Sequence, residues 1–137
     1  MMTAVDTNVL SAIWTKEVNA AELAVKLAEA RRQGLVLICG AVFAETLASP
    51  SLTEDRIRAF LQDTGIQVDA AMNEGIWCET GRRYARYVNR KRKSSADAPK
   101  RLLADFIIGA HALTQADRLM TLDKGRYKTD FPELVLM

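Results

Sequence analysis

VDTNVLSA, residues 5–12, decides how the chain begins to fold. Met2 and Val5 belong to a short apolar run that reads as a buried strand, and the run stops at an acid, Asp6. Thr7 and Asn8 follow, then Val9 and Leu10, so the acid stands where a strand gives way to a helix. Two roles fit that position. Asp6, Thr7 or Asn8 can cap the helix, because such side chains accept hydrogen bonds from free backbone N–H groups. Alternatively, Asp6 is a metal ligand or nucleophile at the carboxyl edge of a parallel sheet, where α/β folds place their ligands. This stretch leaves both open, and the remaining acids must decide.

Outward from it, strands and helices alternate. Residues 18–33 are rich in Ala, Leu and Glu, with Ala20, Leu23, Leu27 and Ala30 at helical spacing, and Gly34 is the expected stop. LVLIC at 35–39 is a continuous apolar run, the mark of a strand buried on both faces. Gly40 breaks it, and AVFAETLAS follows as a short helix ended near Pro50. Thr53 caps a further helix that carries Glu54 and Asp55 in its first turn and stops at Gly65. IQVDA at 66–70 reads as a third strand. Residues 71–92 read as one long helix, with Ile76, Thr80, Tyr84 and Val88 facing inward. KRKSSADAPK is a polar breaker, and a helix resumes from about Lys100 to Gln115. RLMTLD at 118–123 is a strand closing on an acid, as the first does. A turn-rich loop, DKGRYKTDFPE, and a last short strand, LVLM, complete the pattern. The alternation predicts a parallel sheet with helices on both faces.

At 137 residues, the expectation is a single domain spanning 1–137. No apolar run approaches the ~20 residues of a membrane span, and no basic segment followed by an apolar stretch suggests a leader. The two cysteines, Cys39 and Cys78, are far apart and form no metal-binding pattern, so a reduced, cytoplasmic protein is expected. The net charge of +2 conceals an asymmetry. Between 82 and 101 stand Arg82, Arg83, Arg86, Arg90, Lys91, Arg92, Lys93, Lys100 and Arg101 against Asp97 alone. That segment carries +8, which leaves −6 for the rest of the chain. A basic stripe on an acidic body is either a solvated face or the footprint of a polyanion.

Acids among apolar neighbours carry the chemistry, because a carboxylate taken out of water must be paired, hydrogen-bonded or metal-bound. Four qualify: Asp6, Glu45 in AVFAETLAS, Asp105 in RLLADFIIGAHAL, and Asp123 at the end of RLMTLD. Glu22, Glu29, Asp55, Asp63 and Asp130 lie among polar neighbours and read as surface charge. Each of the four also has a local reading: a lone polar helix position, a first-turn acid favoured by the helix dipole, or a turn residue. Taken together they suggest carboxylates gathered at one sheet edge around a divalent cation, and hard oxygen ligands suit Mg²⁺ or Mn²⁺. His111 reads as a packing or surface residue rather than a catalytic one.

VDTNVLSA, FAETLAS, LLADFIIGAHAL and LMTLDKGRYKTDFPEL, in that order across the whole chain, resemble the PIN-domain ribonucleases, and most of all the VapC-type toxins of toxin–antitoxin pairs. The resemblance implies a three-layer α/β/α fold with a five-stranded parallel sheet in the order 3-2-1-4-5. It implies that Asp6, Glu45, Asp105 and Asp123 are catalytic and metal-binding, with Asp6 and Asp105 the main Mg²⁺ ligands and Thr7 or Asn8 a polar neighbour. Lys124, Gly125, Arg126 and Tyr127 depart from the acid or polar-aromatic pair that many relatives carry after the fourth acid. The implied activity is endoribonucleolytic: metal-activated water hydrolyses an RNA phosphodiester to a 5′-phosphate and a 3′-hydroxyl. Arg82, Arg83, Arg86, Arg90, Lys91, Arg92 and Lys93, with Lys124 and Arg126, then become an RNA-binding rim. A homodimer and a small VapB-like antitoxin lying over the acids are the implied partners. Two other readings compete. One is a catalytically inactive PIN-like module that binds RNA or protein. The other is a haloacid-dehalogenase-type phosphatase, which needs Asp-x-Asp where this chain has Asn8.

Overall fold

The structure, a computed structural model, describes residues 1–93 and 102–137. Its elements run β1 (Met2–Val5), α1 (Thr7–Trp14), α2 (Ala20–Gln33), β2 (Leu35–Cys39), α3 (Gly40–Leu47), α4 (Glu54–Thr64), β3 (Gln67–Asp69), α5 (Glu74–Lys93), α6 (Leu103–Gln115), β4 (Arg118–Met120) and α7 (Lys124–Asp130). Lys100, Arg101 and the SSADAP stretch of the predicted breaker lie outside the described residues.

All strand pairs are parallel, in the order β3-β2-β1-β4. Ala4 at the centre stands opposite Leu37 on one side and Leu119 on the other. Successive strand residues point to opposite faces, yet Thr3, Ala4 and Val5 are all buried, as are Val36, Leu37, Ile38 and Cys39. Helices therefore cover both faces, as the apolar run of LVLIC predicts. The predicted fifth strand is reduced to one parallel bridge between Leu119 and Leu136. Even so, Leu119 N–H donates to the Val135 carbonyl at 2.8 Å and Met137 N–H to that of Leu119 at 2.9 Å. The tail takes the predicted place beside β4, but with β4 only three residues long there is little edge to extend along.

Local signals act as read. Thr53 accepts from the Arg56 N–H to cap α4, and Gly65 ends that helix at φ 71°, a left-handed turn that glycine adopts without strain. Ile76 and Thr80 are buried along α5, with Tyr84 and Val88 partly so. Trp14 meets Phe60 edge-on, whereas Trp77 is half exposed. The predicted loop at 123–133 holds a helix instead: α7 forms because Tyr127 and Phe131 are wholly buried. Tertiary packing there overrides weak helix formers such as Gly125 and Thr129. Among the described residues no helix is long and apolar enough to cross a membrane.

Candidate active site

The first and last parallel crossovers bring the carboxyl ends of β1 and β4 side by side. The Asp6 N–H donates to the Met120 carbonyl at 3.0 Å, and Asp6 itself is buried. Its extended backbone starts α1, yet its side chain makes no cap hydrogen bond, so the helix-capping reading does not hold. The carboxylate instead accepts from the Thr121 hydroxyl at 2.8 Å. Burial is the largest influence on Asp6 and pushes its carboxyl above the ordinary range; the Thr121 and Tyr127 hydroxyls pull it back, and the charge of Asp105 pushes it up again. Among the described residues no cation pairs with Asp6. A buried acid with a hydroxyl donor and a second acid in electrostatic reach is the pattern of a perturbed functional carboxylate.

Thr121 organises this corner. Besides donating to Asp6, its hydroxyl oxygen accepts from Asn8 Nδ2 at 3.4 Å and from the Asp123 N–H at 3.0 Å. The Asn8 amide oxygen in turn accepts from the Leu122 N–H at 3.1 Å. Thr7 donates its hydroxyl to Glu45 Oε1 at 2.7 Å, which ties α3 to the start of α1. Asp105, half-buried in the first turn of α6, accepts from the Leu102 N–H at 3.2 Å. It therefore serves the local helix-start role, while its charge acts on Asp6. Asp123 begins α7 without a side-chain cap and pairs with Arg126 at 3.2 Å. Among the described residues, no group of three or more His, Cys, Asp or Glu side chains is arranged to hold a metal ion. Mg²⁺ nevertheless keeps several waters and is often held by one or two carboxylates together with substrate phosphates. Asp6 and Asp105 offer hard carboxylate oxygens only, which fits that requirement.

The family model described as PIN domain matches residues 3–132. The chain belongs to the PIN domain family. No curated protein sequence matches it significantly. Its fold resembles VapBC2 from Rickettsia felis, solved bound to a DNA fragment from their promoter, with a TM-score of 0.65 and 19% identity over 100% of this chain and 98% of that one. It also resembles VapBC-1 from nontypeable Haemophilus influenzae, with a TM-score of 0.67 and 20% identity over 100% of this chain and 97% of the other.

Within this PIN domain the basic stretch divides. Arg82 is exposed and pairs with Glu79 at 3.0 Å, Arg86, Arg92 and Lys93 are exposed, and Lys91 lies over the Tyr87 ring at 5.9 Å. Lys124 is exposed beside Asp123. Arg83, expected on the rim, turns inward. It is buried and donates to Glu79 at 2.6 Å, to Glu133 at 2.7 Å and to the Asp130 carbonyl at 2.9 Å. Its charge holds the Glu79 and Glu133 carboxyls below their ordinary range. Arg90 pairs with Asp130, which is buried rather than the surface charge its polar neighbours suggest. His111 is buried and bonded through Nε2 to Asp69 at 2.9 Å, away from the acids at the β1–β4 corner. Cys39 is a buried core thiol that burial pushes upward, so it stays protonated. Sequence reasoning missed Thr121 and Tyr127. The TLD tripeptide held the first in plain view, whereas Tyr127 lay in a stretch read as loop.

Proposed function

We propose that this PIN domain is a metal-dependent endoribonuclease, and the toxin of a toxin–antitoxin pair. The observation that carries the reading is the buried Asp6, held by the Thr121 hydroxyl, with the charge of Asp105 acting on it and no cation paired with it among the described residues. Asp6 and Asp105 are the residues that would hold Mg²⁺ or Mn²⁺, with Glu45, oriented by Thr7, and Asp123 as outer supports. Such an ion, when bound, makes hydroxide accessible near neutral pH and offsets charge on the phosphate oxygens. Thr121 fixes the Asp6 carboxylate, and Asn8 holds the Leu122 N–H and the Thr121 hydroxyl beside it. Arg82, Arg86, Arg92, Lys93 and Lys124 supply exposed charge for an RNA backbone, with the partly buried Lys91 beside them. Cleavage is expected to leave a 5′-phosphate and a 3′-hydroxyl. Likeness to two VapBC structures supports a VapB-like antitoxin as partner, and a homodimer is the assembly this reading carries with it.

The test is cleavage of total RNA by the purified chain with Mg²⁺ or Mn²⁺, with the 5′ ends mapped. Asp6→Ala and Asp105→Ala should each lose at least about 100-fold in rate, since even residues that merely support metal ligands cost 10–100-fold. Unchanged cutting by either variant removes that acid from the site. Among the described residues no three acids converge, which favours the non-cutting module; that reading predicts no cleavage by the wild type, and RNA affinity that is indifferent to, or improved by, loss of these acids.

A further inference from the structure

We propose that Arg126 is a positioning residue: it keeps the Asp123 carboxylate aside in the free protein and releases it toward the Asp6 corner when an RNA phosphate takes the guanidinium instead. This rests on the nuclease reading above.

Asp123 is joined to that corner through one shared atom. The Thr121 hydroxyl oxygen accepts from the Asp123 N–H at 3.0 Å, and the same hydroxyl donates to Asp6 at 2.8 Å. The main chain of the fourth acid is therefore one hydroxyl away from the first acid. Its side chain is engaged elsewhere. An aspartate that opens a helix ordinarily accepts from the free N–H groups of the first turn, yet Asp123 makes no such bond at the start of α7. Its Oδ2 meets Arg126 Nε at 3.2 Å instead. Residues three apart on a helix lie on one side, so the arginine reaches back over the first turn to the acid. Among the described residues no three acids converge on a metal position, and for Asp123 the guanidinium supplies the reason.

The arginine is fixed at its root and loose at its head. Tyr127, the next residue, is wholly buried, and so is Phe131 one turn further on. A Cβ on Gly109 would stand 2.3 Å from the Phe131 ring, so that ring sits directly on the backbone of α6. The main chain at Arg126 is thus seated against the core. Its head is not: the Arg126 and Asp123 side chains are each 40% exposed, and an ion pair so exposed is weak. An RNA phosphate offers the planar guanidinium a bidentate, charge-assisted partner, so substrate competes with Asp123 for Arg126. Arg83 shows the contrast: buried, and held by Glu79, Glu133 and the Asp130 carbonyl, it has no such freedom. The exchange adds a carboxylate to the corner at the moment RNA arrives.

The experiment uses the full chain and three variants: Arg126→Gln, Asp123→Asn and the two together. Both side chains are part-exposed, where substitutions seldom disturb a fold. Mn²⁺ binding is measured calorimetrically without RNA, single-stranded RNA binding without divalent ions across a salt series, and cleavage kinetics with Mg²⁺. Arg126→Gln should tighten Mn²⁺ binding about 10-fold by freeing a carboxylate. It should also reduce the salt slope for RNA by about 0.7, the value of one phosphate contact on a single strand. Asp123→Asn should leave Mn²⁺ binding to the free protein unchanged, yet lower kcat about 10-fold, as loss of a supporting group does. In the paired variant the gain in Mn²⁺ binding should vanish. If the gain persists there, Arg126 acts only as a repelling charge and the proposal falls. It falls equally if Asp123→Asn weakens Mn²⁺ binding to the free protein, if Asp123→Asn keeps the wild-type kcat, or if Arg126→Gln leaves the salt slope unchanged. A wild-type chain that cuts no RNA but shows the same Mn²⁺ pattern overturns the nuclease reading and leaves the hold of Arg126 on Asp123 standing. A wild-type chain that binds no Mn²⁺ removes both.

Discussion

Asp6 and Asp130 are buried to the same depth, 5% and 7% exposed, and live in opposite surroundings. Asp130 meets the Arg90 guanidinium, so its charge is answered within the protein. Asp6 meets the Thr121 hydroxyl, and burial and the charge of Asp105 drive its carboxyl upward. The first arrangement ties two helices together. The second keeps a negative charge in a place that does not favour it, which a protein retains at a site of function. Burial alone separates neither acid from the other; the compensating partner does.

Neutralising each acid should separate the two most widely. Asp130→Asn removes a buried carboxylate that a guanidinium relies on and should cost roughly 1–3 kcal/mol, read from urea unfolding. Asp6→Asn should move the other way and raise Tm. Because burial lifts the folded Asp6 carboxyl above its unfolded value, the native state binds that proton more tightly. Its stabilising contribution is complete below the unfolded value and fades as pH rises through the raised one. The advantage of Asp6→Asn over the wild type should therefore grow from acid toward neutral pH. If both substitutions destabilise alike, the distinction between the two acids collapses.

A divalent cation offers a second separation. Mg²⁺ at ten times its dissociation constant should stabilise the wild type by about 1.4 kcal/mol, seen as a higher Tm. It should leave Asp6→Asn unmoved. An equal rise in both would place the ion elsewhere.

The smallest expected effect concerns a third buried polar contact. His111→Gln weakens the bond to Asp69 and should cost about 1 kcal/mol while leaving RNA cleavage at the wild-type rate. A matching loss of cleavage would join α6 and β3 to the site.

Much of this was legible in the sequence because the signals were local. LVLIC declared a strand covered on both faces, Thr53 and Gly65 bounded a helix, and Asp6 announced the end of β1. The four acids stood out because each interrupted an apolar run. What the sequence hid was long-range. Helical spacing puts Arg83 and Arg90 on one side of α5 but does not say whether that side meets solvent or residues 130–133. Arginine permits either, since its stem packs while its head finds a partner. Asp130 looked exposed because its neighbours in sequence are polar; its neighbour in space, forty residues away, is Arg90. Helix α7 was invisible for the same reason: its own residues barely favour a helix, and the burial of Tyr127 imposes one.

The seat of Phe131 on Gly109 carries a lesson for mutational surveys. A single methyl group at position 109 has nowhere to go except into that ring, and the ring leads by one hydrogen bond to Tyr127. Random libraries scored for lost cleavage will collect substitutions there. A map coloured by such hits will paint a glycine with no side chain to offer RNA or a metal as though it belonged to the reaction.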